Sequence, residues 1–215
     1  MGRERALILD MDGVIIDSNR WHREAWAEYN RLHGIATDEA MQQRMYGKRN
    51  DDIVRDFFGS HLTNAEVAAH GAAKERLYRQ MIRPAIHDAL VPGVRAFLER
   101  HRGEPVGMAT NAEPDNVEFL LEEARLRAYF RAVVDGHQVP NPKPHPDIYL
   151  RAAELLGAQP RDCVVFEDSL PGVEAARAAG MAVVGVATTY PVLPGVDLQI
   201  RDFTSSGLEP WLGNG

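Results

Sequence analysis

Short apolar runs recur along most of the chain, separated by longer amphipathic or turn-rich stretches. A run of about four or five apolar residues is typical of a strand buried on both faces of a parallel sheet. Amphipathic segments between such runs are typical of crossover helices. The runs lie at residues 6–9, 106–109, 132–134, 163–166 and 182–186. They predict an α/β fold with a doubly wound, Rossmann-like parallel sheet.

A helical pattern interrupts this alternation after residue 17. One helix face is marked by the i, i+3, i+4, i+7 spacing of His22, Ala25, Trp26, Tyr29 and Leu32. Further helices are predicted over residues 38–45, 51–58 and 64–81. We therefore expect an inserted α-helical cap domain at residues 18–87, within a core formed by residues 1–17 and 88–215. The Pro- and Gly-rich tail has a possible edge strand and a short helix, without an evident role.

Composition and charge narrow the classes of partner. The 215 residues are 45% hydrophobic, which is enough to bury a substantial core and excludes a fully disordered chain. Asp and Glu number 31 against 24 Lys and Arg, a net charge of -7, and no long basic run could neutralise a nucleic-acid backbone. We therefore expect a small-molecule partner and no nucleic acid.

No stretch of the sequence is typical of a targeting or membrane segment. The apolar run before Asp10 is too short for a signal peptide, and nothing approaches the roughly 20 apolar residues of a transmembrane helix. Cys163 is the one cysteine and lies in an apolar run, so we expect it to be buried and reduced. We expect a soluble, cytoplasmic, monomeric protein that does not bind membranes.

Two carboxylates follow the first predicted strand. Asp10 and Asp12 come directly after residues 6–9, and Gly13 provides a turn. The carboxyl ends of parallel strands are where ligands bind in open α/β sheets. A strand that merely ends in a polar turn has the same pattern, so this motif requires support from others.

Two further segments bring candidate phosphate-binding side chains to strand ends or rigid loops. The second predicted strand ends at Thr110 and Asn111, whose hydroxyl and amide can hold phosphoryl oxygens. Lys143 lies between Pro142 and Pro144, and rigid flanks reduce the entropy lost in aiming a long side chain. Without this context, Lys143 would be interpreted as a solvated surface charge.

A second acidic pair, Glu167 and Asp168, ends the fourth predicted strand. Magnesium prefers oxygen ligands, and in phosphoryl-transfer sites one or two carboxylates hold it together with the substrate phosphate. Carboxylates of Asp10, Glu167 and Asp168 crowded at one sheet edge would repel one another without a cation. Their clustering therefore favours a Mg²⁺ site.

These four segments, in this order, resemble the haloacid dehalogenase superfamily, and more narrowly its β-phosphoglucomutase-like phosphatase branch with a helical cap. The resemblance covers residues 5–187. It implies a Mg²⁺-dependent phosphatase that hydrolyses a small phosphorylated metabolite, a sugar or polyol phosphate, through an aspartyl phosphate.

The resemblance also implies a role for each matching residue. Asp10 is expected to be the nucleophile, and Asp12 the general acid and base. Thr110 and Lys143 would bind the transferring phosphoryl group. True dehalogenases of the superfamily lack the second aspartate, so the presence of Asp12 favours phosphoryl transfer. The implied metal ligands are Asp10, the backbone carbonyl of Asp12, Glu167 and Asp168.

The cap contributes most of the substrate-binding candidates. His22 matches a histidine of the mutase-like proteins, and it is either a packed, hydrogen-bonded side chain or a link between cap closure and Asp12. The segment from Gly47 to Asp51 resembles the cap loop that selects substrate, although cations in a surface loop are more often solvated. The substrate-binding candidates are His22, Gly47, Lys48, Arg49, Asn50, Asn111 and Ala112.

The sequence departs from the mutase pattern where a second phosphate would be held. By the resemblance, a mutase uses an arginine in the cap loop and a Ser-Lys pair after the second motif. Here the best-aligned cap position is Asn50, with Arg49 one residue away, and Ala112 and Glu113 follow the second motif. A glutamate would repel the phosphate. A phosphatase is therefore favoured over a β-phosphoglucomutase-type mutase, which stays the alternative.

A third interpretation is a catalytically inactive metabolite-binding protein on the same fold. Loss of either aspartate of the first motif would indicate it. Both Asp10 and Asp12 are present, so this interpretation is disfavoured.

Overall fold

The computed structural model describes residues 5–45 and 50–213. The chain divides into two compact units. The core unit consists of the described parts of Met1–Asp17 and Ile86–Gly215, and the helical unit is Ser18–Ala85. Within the described ranges, no helix is both long and apolar enough to cross a membrane.

The core unit is built on a six-stranded sheet in which each neighbouring pair is parallel. Its strands are β1 (Ala6–Leu9), β2 (Val106–Thr110), β3 (Ala132–Asp135), β4 (Cys163–Glu167), β5 (Ala182–Val186) and β6 (Leu198–Ile200). The order across the sheet is β3-β2-β1-β4-β5-β6. This is the doubly wound order, and it confirms the predicted fold class.

Along the chain, at least one helix follows every strand except β5, which leads to β6 without one. The helices of the helical unit are α1 (Asn19–Leu32), α2 (Glu39–Met45), α3 (Asn50–Phe58) and α4 (Asn64–Ile82). Those of the core unit are α5 (Val94–Arg100), α6 (Pro114–Glu123), α7 (Asp147–Leu156), α8 (Leu170–Ala178) and α9 (Leu208–Gly213). Short 3₁₀ turns lie at Arg83–Ala85, Arg127–Tyr129, Gly136–Gln138 and Pro160–Asp162.

The sheet is covered on both faces, which explains the uninterrupted apolar strands. On one face, Ile8 and Val165 pack with Ile148 of α7 and Ala175 of α8. Cys163 belongs to this cluster and is buried, as predicted. Strands β1 to β5 therefore have no exposed polar face that would have produced an alternating sequence pattern, whereas the edge strand β6 exposes Gln199.

A cluster of three phenylalanines links α5, β4 and the C-terminal tail. The ring centroids of Phe97 and Phe166 are 5.2 Å apart, and Phe203 lies 4.9 Å from Phe97. The tail thus contributes an aromatic anchor as well as β6 and α9, although the sequence indicated no role for it.

The helical unit has an apolar core of its own, formed by Trp26, Tyr29, Ile53, Val54 and Val67. Helix α4 begins with a capping box, in which the Thr63 hydroxyl accepts from the Glu66 N–H and the Glu66 carboxylate accepts from the Thr63 N–H. The predicted apolar face of α1 is wrong at its last position, because α1 ends at Leu32, which is 59% exposed.

Candidate active site

The first motif lies where the strand order reverses. Strand β1 has β2 on one side and β4 on the other, so its carboxyl end opens into the crevice where doubly wound sheets bind ligands. The Asp10 N–H donates to the Phe166 carbonyl at 3.0 Å, which extends the pairing of β1 with β4. Asp10 is buried, and Asp12 is half-buried in the turn that follows.

Lys143 is buried between two carboxylates. Its Nζ atom lies 2.8 Å from Asp10 Oδ1 and 2.6 Å from Glu167 Oε1, and its side chain is 5% exposed. Burial lowers the pKa of Lys143, but the charges of Asp10 and Glu167 outweigh burial and hold this pKa above its usual range. Lys143 is therefore a fixed positive charge at the site and not a solvated surface lysine.

Glu167 is held by hydrogen bonds at both carboxylate oxygens. Besides Lys143, the Tyr149 hydroxyl donates to Oε1 at 2.7 Å. The N–H groups of Asp168 and Ser169, at 2.9 and 3.0 Å, and the Ser169 hydroxyl, at 2.9 Å, donate to Oε2. Burial raises the pKa of Glu167, but Lys143 and these donors lower it below its usual value. Glu167 is therefore a fixed anion that orients Lys143.

Two glycines allow the acidic side chains to approach the backbone. Gly13 has a φ of +75°, and a Cβ atom there would lie 1.8 Å from Asp168 Oδ2. A Cβ atom on Gly172 would lie 1.7 Å from Glu167 Oε1. Any larger residue would displace these carboxylates, so both glycines shape the site.

Asp10, Glu167 and Asp168 form a buried acidic group whose carboxylate oxygens lie within 4.8 Å of one another. Burial, together with the neighbouring carboxylates, raises the pKa of Asp10 to about 7 and that of Asp168 to about 8. A hard cation would favour the ionised form of both groups, and each ligand atom offered is an oxygen. These residues therefore fit a metal ion such as Mg²⁺.

The second motif lies at the end of β2 and contacts the loop that carries Lys143. Thr110 is buried, and its hydroxyl accepts from the Ala112 N–H at 3.1 Å, so it can still donate its own proton. Asn111 Oδ1 accepts from the Lys143 N–H at 3.2 Å, and Nδ2 donates to the Lys143 carbonyl at 3.5 Å. Asn111, predicted to bind substrate, thus also holds the Lys143 backbone.

Several residues that contact the site were absent from the sequence-based candidates. In the sequence, Tyr149 has the pattern of an apolar helix position. Ser169 precedes α8, and its hydroxyl caps that helix by accepting from the Gly172 N–H. Thr188 and Thr189 follow β5 in a segment with no distinctive pattern. The contacts of Tyr149, Thr188 and Thr189 join residues far apart in sequence, so spacing alone could not reveal them.

In the helical unit, His22 belongs to a buried polar cluster around Lys74. Lys74 is 1% exposed, and its ammonium donates to His22 Nδ1 at 2.8 Å and to Glu75 Oε1 at 2.9 Å. Asn50 Nδ2 donates to the same Glu75 oxygen at 2.6 Å, and the His22 ring stacks on Tyr78 at 3.8 Å. His22 is therefore packed and hydrogen-bonded. The other cap-loop candidates, Gly47, Lys48 and Arg49, lie outside the described residues.

The Lys74–Glu75 pair has a testable effect on stability. Burial raises the pKa of Glu75, but the Lys74 charge and the hydrogen bonds from Lys74 and Asn50 outweigh burial and lower this pKa to about 2. Glu75→Gln leaves the Lys74 ammonium buried without its carboxylate, so we expect the free energy of unfolding at pH 7 to fall by about 3 kcal/mol. Urea unfolding followed by circular dichroism measures this difference.

The sign of the pH dependence follows from the lowered pKa of Glu75. The contribution of Glu75 to the free energy of unfolding is fully present above its pKa in the unfolded chain, about 4.3. This contribution is lost as pH falls towards the pKa of Glu75 in the folded chain. The difference in free energy of unfolding between wild type and Glu75→Gln should therefore become smaller below pH 4. Glu28→Gln, which removes an exposed pairing with Arg31, serves as control and should change stability little. Equal effects of the two substitutions would contradict the assignment of Glu75.

Comparison with known proteins identifies the family. The model of the haloacid dehalogenase-like hydrolases matches residues 4–180. Fructose-1-phosphate phosphatase YqaB of Escherichia coli is 36% identical over 86% of this chain and 97% of its own. β-Phosphoglucomutase of Bacillus subtilis is 32% identical over 95% of this chain and 92% of its own. A family IA, variant 3 hydrolase from Entamoeba histolytica superposes with a TM-score of 0.83 at 25% identity, over 93% and 94% of the two chains. The predicted superfamily is confirmed, and the chain belongs to the haloacid dehalogenase-like hydrolases.

Proposed function

We propose that the protein is a Mg²⁺-dependent phosphatase that hydrolyses a small sugar or polyol phosphate through an aspartyl phosphate on Asp10. The observation on which this rests is the buried Asp10 carboxylate, 2.8 Å from Lys143 Nζ and grouped with Glu167 and Asp168. A fructose-1-phosphate phosphatase and a β-phosphoglucomutase among the relatives support a phosphorylated sugar as the substrate class.

In the first step, the Asp10 carboxylate attacks phosphorus while the bond between phosphorus and the leaving oxygen breaks. Asp12 gives its proton to that oxygen, so the alcohol leaves uncharged. Lys143, already aimed at Asp10, offsets the negative charge of the transferring group. The Thr110 hydroxyl donates to a phosphoryl oxygen.

In the second step, Asp12 acts as a carboxylate and takes a proton from water. The water oxygen attacks phosphorus, the bond to Asp10 breaks, and inorganic phosphate leaves. The net reaction consumes one phosphate ester and one water and yields one alcohol and one phosphate. Asp10 and Asp12 return to their starting protonation states.

Mg²⁺ would be held by Asp10, Asp168, the Asp12 backbone carbonyl and Glu167. Both Glu167 oxygens already accept hydrogen bonds, so Asp10 and Asp168 offer the more available ligand atoms. Bound there, the ion would offset the negative charge that Asp10 and the phosphoryl group bring together. We also propose that the helical segment, predicted as a cap over residues 18–87, selects the substrate.

The alternative is a phosphosugar mutase, which must retain a bisphosphate while it reorients. Glu113, which stands where a lysine would hold the second phosphate, lies 3.2 Å from His137 Nε2. The amide of Asn50, which stands in place of an arginine, donates to Glu75. A carboxylate at one position and a neutral amide at the other favour hydrolysis.

Phosphate release from a panel of sugar, polyol and nucleotide phosphates tests the proposal. We expect Mg²⁺-dependent release from a sugar or polyol phosphate such as fructose 1-phosphate, abolished by EDTA and restored by Mg²⁺. With β-glucose 1-phosphate and glucose 1,6-bisphosphate as primer, any reaction should release phosphate faster than it forms glucose 6-phosphate. Primer-dependent isomerisation that exceeds phosphate release would establish the mutase instead. Failure of the whole panel would favour an inactive binding protein.

A further inference from the structure

The loop after β5 contacts both acidic segments of the site through two consecutive hydroxyls. Thr188 Oγ1 donates to the Gly13 carbonyl at 2.5 Å, in the turn that follows Asp10 and Asp12. Thr189 Oγ1 donates to Asp168 Oδ2, on the neighbouring strand end. Thr189 thus binds a carboxylate of the acidic group, and the adjacent Thr188 binds the turn that follows Asp10 and Asp12.

Asp168 Oδ2 is confined from two directions. The Thr189 hydroxyl donates to this atom, and the Gly13 backbone lies so close to it that a Cβ atom would be 1.8 Å away. With one oxygen held in this way, the carboxylate cannot rotate about its terminal torsion without losing the hydrogen bond. The direction of the other oxygen is therefore set as well.

The loop that carries Thr189 is itself anchored. The Ala187 N–H donates to the Ile200 carbonyl at 2.9 Å, which continues the pairing of β5 with β6. The Thr188 N–H donates to the Val186 carbonyl, also at 2.9 Å. A hydroxyl on an anchored backbone can orient a ligand at a smaller entropic cost than one on a mobile loop.

We propose that Thr189 is a positioning residue of the metal site, which fixes the Asp168 carboxylate in the orientation that binds Mg²⁺. The inference rests on the metal requirement of the proposed function. Groups that orient metal-binding carboxylates typically contribute about 10–100-fold to metal affinity. In this assignment Thr189 acts through Asp168, whose Oδ2 atom accepts its hydrogen bond.

The test is the Kd for Mg²⁺, measured by titration calorimetry on the full chain without substrate. Thr189→Val keeps the shape of the side chain and removes the hydroxyl, so we expect the Kd to rise about 10–100-fold. Thr189→Ser keeps the hydroxyl and should stay within about threefold of wild type. The Mg²⁺ concentration for half-maximal phosphate release should rise with the Kd in Thr189→Val.

Thr204 offers a matched control within the core unit. Its hydroxyl donates to Asp202, which is 5% exposed, as Asp168 is. Thr204→Val removes the same kind of bond away from the acidic group and should leave the Kd for Mg²⁺ unchanged. Circular dichroism establishes that each variant is folded, and Thr189→Ala provides a second hydroxyl-free variant if Thr189→Val is not.

The outcomes separate this inference from the proposed function. Equal Mg²⁺ affinity in wild type and a folded hydroxyl-free variant overturns the role of Thr189 and leaves the phosphatase proposal intact. Equal weakening in Thr189→Ser and Thr189→Val also overturns it, because packing rather than the hydroxyl would then matter. A wild-type chain that binds no Mg²⁺ overturns the metal requirement itself.

Discussion

Asp10→Asn is expected to lower phosphate release at least about 10³-fold, because the neutral amide is a poor nucleophile and a poor metal ligand. The structure sharpens this expectation, since Asp10 is the buried carboxylate that Lys143 contacts together with Glu167. Steady-state phosphate release at saturating Mg²⁺ measures the effect. The variant should still fold, because it removes one of three crowded carboxylates.

Asp135→Asn is a suitable control for Asp10→Asn. Asp135 also lies at the carboxyl end of a parallel strand, and both residues are 7% exposed. Its carboxylate accepts from the His137 N–H and the Gln138 amide, outside the proposed chemistry. Its replacement should lower turnover far less than Asp10→Asn. Full turnover by purified Asp10→Asn would exclude the aspartyl-phosphate mechanism.

Asp12→Asn is expected to lower kcat by about 10²–10⁴-fold, the usual contribution of a positioned general acid or base. The backbone carbonyl of residue 12 remains in the variant, so Mg²⁺ and substrate should still bind. Asn can neither protonate the leaving oxygen nor accept a proton from water. Kinetics that separate kcat from KM, with Mg²⁺ binding by calorimetry, measure this pattern.

Asp17→Asn provides the comparison for Asp12→Asn. Asp17 is an exposed carboxylate a few residues further along the chain, so its replacement changes the formal charge equally. We expect kcat within a few-fold of wild type for this variant, since surface substitutions are usually small in effect. If Asp12→Asn instead raised KM strongly while kcat stayed normal, the assignment of Asp12 as general acid and base would be wrong.

The strands of the core were predictable because burial on both faces leaves a continuous apolar run. Strands β1 and β5 have the predicted bounds, and β2, β3 and β4 each extend one residue further into the polar motif. Those added residues, Thr110, Asp135 and Glu167, are polar and buried, so a hydrophobicity pattern stops before them. Leu32 shows the converse error, in which an apolar residue at a helix end stays exposed.

The grouping of candidate residues was predictable where a motif follows a strand or lies in a rigid loop, and not where a side chain reaches the group from elsewhere. Asp10 and Lys143 were proposed from resemblance and local rigidity, and the structure brings them within 2.8 Å. Tyr149, Thr189 and Lys74 carry no local pattern that distinguishes them from helix, loop or surface residues. Their partners are fixed by the fold, so tertiary contacts are needed to find them.

The strand order also has a consequence for when catalytic competence arises during synthesis. Leu7 of β1 pairs with Val106 of β2 and with Val164 of β4, so the first strand made has partners that emerge much later. Such non-local pairings slow folding, because long loops must close before any contact forms. The helical unit, whose α1 and α4 lie within one short stretch of chain, has no such delay. A nascent chain is therefore expected to fold its helical unit first, and to acquire the acidic group only once β4 has left the ribosome.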